Sequence, residues 1–167
     1  MKRYCKDIDI TDRNFISIAV RDCIKKKLSR KDTIELFCQY RGLPYNAIHR
    51  IVKHDYSKGY IDGLIETVID GIRQEIIYQS YVVKPIHYQT KIDGNSGKVR
   101  QIGIQDVKQQ LYDYIATYGL WELFTAKIGY YQCSALENKG QIFGVKALKK
   151  WVDDHHIRYA IQSDIRN

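Results

Sequence analysis

Long apolar runs are missing from this chain. No stretch approaches the roughly 18 consecutive apolar residues of a membrane-spanning helix. The opening Met1-Lys-Arg-Tyr-Cys-Lys-Asp7 has no apolar core of the kind a secretory signal carries. The expected setting is therefore soluble and cytoplasmic, with no membrane partner. Cysteine is sparse: Cys5, Cys23, Cys38 and Cys133 are widely spaced and form no C-x-x-C pair. This argues against a zinc site and leaves free thiols in a reducing compartment as the expectation. Internal repeats, low-complexity tracts and an evident flexible linker are also absent.

What is present has globular proportions. A length of 167 residues suits one domain, or one with a small appendage, and 44% hydrophobic with 28% charged residues is not a disordered composition. The net charge is +8. Either the surface is basic without purpose, or the partner is a polyanion such as nucleic acid. Fourteen tyrosines favour the second reading, because aromatic faces stack on bases, although most tyrosines serve cores and interfaces.

Residues 11 to about 80 read as helical. Phe15, Ile18, Ala19, Asp22, Cys23 and Leu28 follow a helical period and precede or span the run Lys25-Lys26-Lys27. Ser29 with Asp32 resembles a capping box opening a helix from Arg30 to Tyr40, which Gly42 closes. Pro44 starts a third helix toward His54. A longer helix runs from about Tyr60 to Ser80 on the stripe Ile61, Leu64, Ile65, Val68, Ile69, Ile72, Ile76 and Ile77.

The pattern then changes to that of a β-hairpin. Tyr81 to Thr90 and Val99 to Ile104 are its arms, and Asp93-Gly-Asn-Ser-Gly97 is its polar tip. Helix returns from Gln105 to about Phe124, with Val107, Leu111, Tyr114, Ile115 and Tyr118 on one face. After irregular chain to Gln141, Ile142 to Asp154 is a helix with Val145, Leu148 and Trp151 aligned. Residues 157–163 alternate as a short strand that delivers Asp164 at its end. The fold class is α+β and mostly helical, with a helical region over residues 1–80 and a second region over 81–167.

Four stretches could carry chemistry. Lys98 and Arg100 stand two apart on one hairpin arm and so share a face; they suit a triphosphate, or they guard an edge strand with charge. Gly140, before a helix, could offer amides to a phosphate, or simply make a loop-to-helix turn. Asp153-Asp154-His155-His156 holds potential metal ligands but continues an amphipathic helix, so solvated helix-end charges account for it. Asp164, just past an apolar strand, is placed as a divalent-metal ligand.

In order, these pieces resemble a bacterial or phage reverse transcriptase related to group II intron enzymes. Lys98-x-Arg100-x-Ile102 with Asp106-x-x-x-Gln110 is similar to the first conserved block of the fingers. Tyr130-Tyr-Gln-Cys-Ser-Ala135 with Gly140-Gln141 resembles the second, and Tyr159-Ala-Ile-Gln-Ser-Asp164 the start of the third. The resemblance implies the fingers and initial palm of a right-hand polymerase. It implies nucleotide or template binding by Lys98, Arg100, Gln110 and Gly140. It implies catalytic Mg²⁺ on Asp164, and RNA template, DNA primer and dNTP as partners. The aromatic nucleotide gate and the Tyr-x-Asp-Asp turn of the family do not follow Asp164 here. One carboxylate cannot organise two Mg²⁺ ions. The chain is therefore expected to be the front part of an RNA-directed DNA polymerase, inactive alone, with an incomplete sheet edge open to self-association.

The alternative is a non-enzymatic helical nucleic-acid-binding protein. Arg30 to Lys53 superficially resembles a helix-turn-helix whose second helix presents Asn46, His49, Arg50 and Lys53. A third possibility is an interaction module whose basic surface is incidental.

Overall fold

Asp12 opens the first helix by accepting the backbone N–H of Phe15 at 2.7 Å, satisfying one of the donors that a helix start leaves free. In this computed structural model, residues 3–54, 59–82, 84–94, 97–129, 132–133, 138–159, 161 and 163 are described. The chain divides into two units, Met1–Glu122 and Leu123–Asn167.

The first unit holds α1 (Arg13–Ile24), α2 (Lys31–Arg41), α3 (Tyr45–His54), α4 (Gly59–Ile77), the strands β1 (His87–Ile92) and β2 (Val99–Ile104), and α5 (Val107–Gly119). The mostly helical α+β character expected from sequence is observed. A single core joins the helices. It is built from Ile16, Val20 and Ile24 of α1, Ile34 and Phe37 of α2, Ile48 of α3, Leu64, Val68 and Ile72 of α4, and Leu111 and Ile115 of α5. Helix α1 packs on both α4 and α5, and α2 packs on α3, α4 and α5. The core therefore takes residues from both sides of the hairpin.

Several expectations need correction. The buried face of α1 is Ile16, Ala19, Val20, Cys23 and Ile24, and Ile18 is exposed. The first helix ends at Ile24, so Leu28 of the expected stripe lies beyond it. The helix expected over residues 105–124 breaks at Leu120, and a short α6 (Trp121–Lys127) follows. Ser29 does not cap α2; the extended residue before it is Arg30, whose guanidinium instead pairs with Asp32 at 2.6 and 3.0 Å. Gly42 does close α2, in the left-handed conformation with φ 70°, and its N–H donates to the Cys38 carbonyl.

Gly71 is required by close packing. A Cβ there would stand 2.3 Å from two atoms of the Tyr40 ring. The ring lies over the α4 backbone, and its hydroxyl donates to Glu75 at 2.9 Å.

The first arm of the hairpin is shorter than expected, because residues 81, 82 and 84–86 are outside the strand. The arms pair antiparallel, with His87 opposite Ile104 and Ile92 opposite Val99. Gly97, at φ 66°, donates to the Asp93 carbonyl at the tip. Gly103 is again steric: a Cβ would meet Ile86 at 2.9 Å.

The second unit carries α7 (Gln141–His155), within one residue of its expected bounds. No residue of α7 is buried. Cys133, Gly144, Leu148 and Trp151 line an apolar cavity of about 440 Å³. Of the strand expected over residues 157–163, residues 157–159, 161 and 163 are described and none is in a strand. Tyr159 and Ile161 are almost wholly exposed, at 90% and 97%. A lone strand with no neighbour leaves its backbone donors and acceptors unpaired, so nothing stabilises it. Residues 160 and 162 of that segment, and Asp164, lie outside the described residues.

Candidate nucleic-acid interface

The hairpin is exposed at every position of both strands. Its register decides which side chains share a face. Directly opposed residues stand on the same side, so His87, Gln89 and Lys91 of β1 lie beside Ile104, Ile102 and Arg100 of β2. Lys91 and Arg100 are therefore a directly opposed pair of cations. Lys98 precedes Arg100 by two residues and follows the same alternation, and its carbonyl accepts from Asp93 N–H at 2.9 Å. Like charges across a strand pair repel. Asp93 offsets part of this, with its carboxylate 3.3 Å from the Arg100 guanidinium.

Sequence reasoning found Lys98 and Arg100 but missed Lys91. The signal was the tip: the Asp93 and Gly97 bonds fix the turn, and the turn fixes the register that sets Lys91 against Arg100.

A partly buried polar frame anchors the chain that leaves the hairpin. Asp106 caps α5 by accepting Gln109 N–H at 2.8 Å, and Lys84 pairs with its other oxygen at 2.9 Å. Burial pushes the Asp106 carboxyl up, but Lys84, the Gln109 N–H and Lys108 outweigh it and leave it below the ordinary aspartate value. Asp32 reaches across from α2 and accepts Val107 N–H at 3.0 Å. Glu75 of α4 accepts from Tyr40, from Tyr112 and from Lys108, the last at 2.7 Å. Burial also raises Glu75, and these three donors, Lys108 first, overcome it and hold the carboxyl low. Burial and the facing Glu75 carboxylate push both tyrosine hydroxyls far up. Gln110 belongs to this frame, because its amide donates to the Gln105 carbonyl at 2.9 Å.

The helical surface is uneven in charge. The cations of α1 are matched by carboxylates of α4: Arg13 pairs with Glu66 at 2.5 Å and Asp70 at 2.8 Å, and Arg21 with Asp62 at 2.8 Å and with Glu66. On α2, Lys31 stands 3.7 Å from Glu35. Helix α3 differs. Residues 36–54 include no Asp or Glu. Ile48 is buried and Ile51 and Val52 pack against the core, which turns Asn46, His49, Arg50 and Lys53 outward, and all four are exposed. Tyr45 stacks on His49 with ring centroids 5.8 Å apart. Among the described residues, neither Arg50 nor Lys53 has an ion-pair partner.

In the second unit, Gly140 stands in extended conformation before α7 with no side-chain cap. A Cβ there would meet nothing, so glycine is not demanded by packing. Asp153, Asp154 and His155 form the last turn of α7, and His156 is its left-handed cap at φ 50°. The His155 ring lies tilted against Trp151 with centroids 5.3 Å apart, and its Nδ1 lies 2.9 Å from the Trp151 carbonyl. Among the described residues, no group of three or more His, Cys, Asp or Glu side chains is placed to hold a metal ion. Among them, too, no helix is long and apolar enough to cross a membrane.

No family model matches this chain, and neither does any curated protein or solved structure.

Proposed function

We propose that this chain is the fingers-bearing front portion of a reverse transcriptase-like RNA-directed DNA polymerase, which binds RNA template, DNA primer and dNTP and does not polymerise by itself. One observation carries the reading: two cations are directly opposed on a hairpin that is exposed at every strand position. Such a pair costs stability in the free protein. An anion laid across it converts the repulsion into two attractions, and Arg100 adds paired donors that match a phosphate. Lys98 extends the same row. The order of hairpin and capped helix matches the order of the sequence blocks that resemble the fingers.

In this reading, Gln110 positions the start of α5 through its bond to the Gln105 carbonyl, beside the nucleotide- or template-binding arm. Gly140 offers backbone amides at the start of α7. Asp164 contributes one carboxylate to a Mg²⁺ site, and Mg²⁺ requires further oxygen ligands from the rest of a palm.

The test is binding of a labelled RNA–DNA template-primer across a salt series. Each phosphate contact contributes about one unit to the slope of log K against log salt. Arg100→Ala and Lys91→Ala should each weaken binding and flatten the slope by about one unit. Binding that is salt-sensitive yet indifferent to both substitutions would remove the hairpin from the interface. Extension of the primer by this chain with Mg²⁺ and dNTP would sink the claim that it does not polymerise alone.

A further inference from the structure

We infer that α3 is a second nucleic-acid surface, one that enters the major groove of double-stranded DNA. The inference stands on different residues from the hairpin and does not rest on the polymerase reading. Three observations support it. First, the outward stripe Asn46, His49, Arg50 and Lys53 is exposed and stands opposite the residues that bind α3 to the core. Second, the charge of that stripe is uncompensated: among the described residues Arg50 and Lys53 have no ion-pair partner, whereas Arg13 and Arg21 of α1 and Lys31 of α2 face carboxylates within 4 Å. Third, α2 ends at a left-handed Gly42, and α3 begins after Leu43 and Pro44, so a short turn joins two packed helices.

The side-chain chemistry selects the partner. An uncompensated cationic stripe seeks a polyanion. Arg and Asn are the side chains that read guanine and adenine edges through paired hydrogen bonds, and His and Lys add further donors. The stripe runs roughly 10 Å along the helix, at 1.5 Å per residue. The major groove of B-form DNA, about 12 Å wide, admits a helix of this kind, whereas the deep, narrow major groove of A-form RNA does not. Lys53 and Arg50 stand toward the C-terminal end of the stripe and would meet phosphates or guanines; Asn46 stands at its start, where the recognition helix of this motif makes its base contacts.

The experiment is fluorescence anisotropy of the full chain with a labelled DNA duplex of roughly two helical turns, and with an RNA duplex of the same sequence. Three proteins are compared: the unaltered chain, Arg50→Ala/Lys53→Ala, and Lys6→Ala/Lys26→Ala, which removes the same charge from exposed positions elsewhere. Equal melting temperatures establish that the three fold alike. The inference expects the α3 variant to bind DNA about tenfold more weakly, with the salt slope reduced by about two units. It expects the control variant to lose much less, and the RNA duplex to bind more weakly than DNA. Equal losses in both variants, equal affinity for RNA and DNA duplexes, or no DNA binding at low salt would each overturn it.

Discussion

In α4, Leu64, Ile65, Val68, Ile69 and Ile72 stand at helical spacing and every one is buried. In α7, Ile142, Val145, Leu148 and Trp151 stand at comparable spacing, and their exposure runs from 38% to 74%. The two stripes are alike in sequence and opposite in environment. Periodicity therefore marks the side of a helix that could be buried, and burial itself depends on neighbours. Helix α4 has α1, α2 and α3 against it, whereas among the described residues no element of the second unit packs against α7 to that extent. The hairpin makes the same point for strands. Its residues alternate as a half-buried strand would, yet both faces are open.

The largest expected effect tests that contrast directly. Phe37→Ala, at a fully buried position facing the same core as α4, should cost about 3–5 kcal/mol. Leu148→Ala, on the open stripe of α7, should cost within about 0.5 kcal/mol. Urea denaturation of the two variants compares them. If Leu148→Ala cost as much as a core truncation, the α7 stripe would be covered in solution, and the contrast would collapse.

A smaller effect is expected at Gly71. Alanine there gains up to ~1 kcal/mol of helix propensity, but its Cβ collides with a Tyr40 ring held by Glu75 and backed by Lys108. The steric term should win, for a net loss of about 1–3 kcal/mol. Thermal melting would reverse this assignment if Gly71→Ala raised the transition. The carboxylate beneath that ring sets a pH dependence. The folded-state pKa of Glu75 is depressed. Its stabilising contribution is therefore fully present above the unfolded value of roughly 4.3 and is lost as pH falls through the folded value. Glu75→Gln should flatten the stability profile on the acid side of that point. A profile of unchanged steepness would show that other carboxylates govern acid unfolding.

Much of the helical framework was legible in the sequence because local chemistry determines it. Gly42, Pro44 and the apolar stripe of α4 placed α2, α3 and α4 within a few residues, and the stripe of α5 placed its start. What was illegible depends on contacts distant in the chain. The face of α1 shifted because α4 and α5 pack against it from far along the sequence, and local periodicity could not choose between Ile16 and Ile18. Asp32 looked like part of a cap for its own helix, but it also accepts from Val107, across residues that no local pattern connects. The apolar alternation after residue 157 promised a strand, and a strand needs a partner that local sequence cannot supply. The candidate site divides the same way. Arg100 and Lys98 were readable from their spacing, Asp164 stands outside the described residues, and Lys91 became visible only through the register.

Lys91 also gives the most discriminating of the small effects. Lys91→Glu places a carboxylate opposite Arg100, turning a repulsive cross-strand pair into an attractive one. Such pairs are worth about 0.2–1 kcal/mol, so the hairpin should become slightly more stable, and amide exchange along β1 and β2 should slow. Template-primer binding should weaken in the same variant, because the new carboxylate competes with phosphate for Arg100. A purely structural role predicts that order and binding move together. The opposed movement of the two is what a cationic face kept for an anion requires. If slower exchange came with unchanged or tighter binding, the pair would be a guard against edge-to-edge association, and the interface would belong to α3.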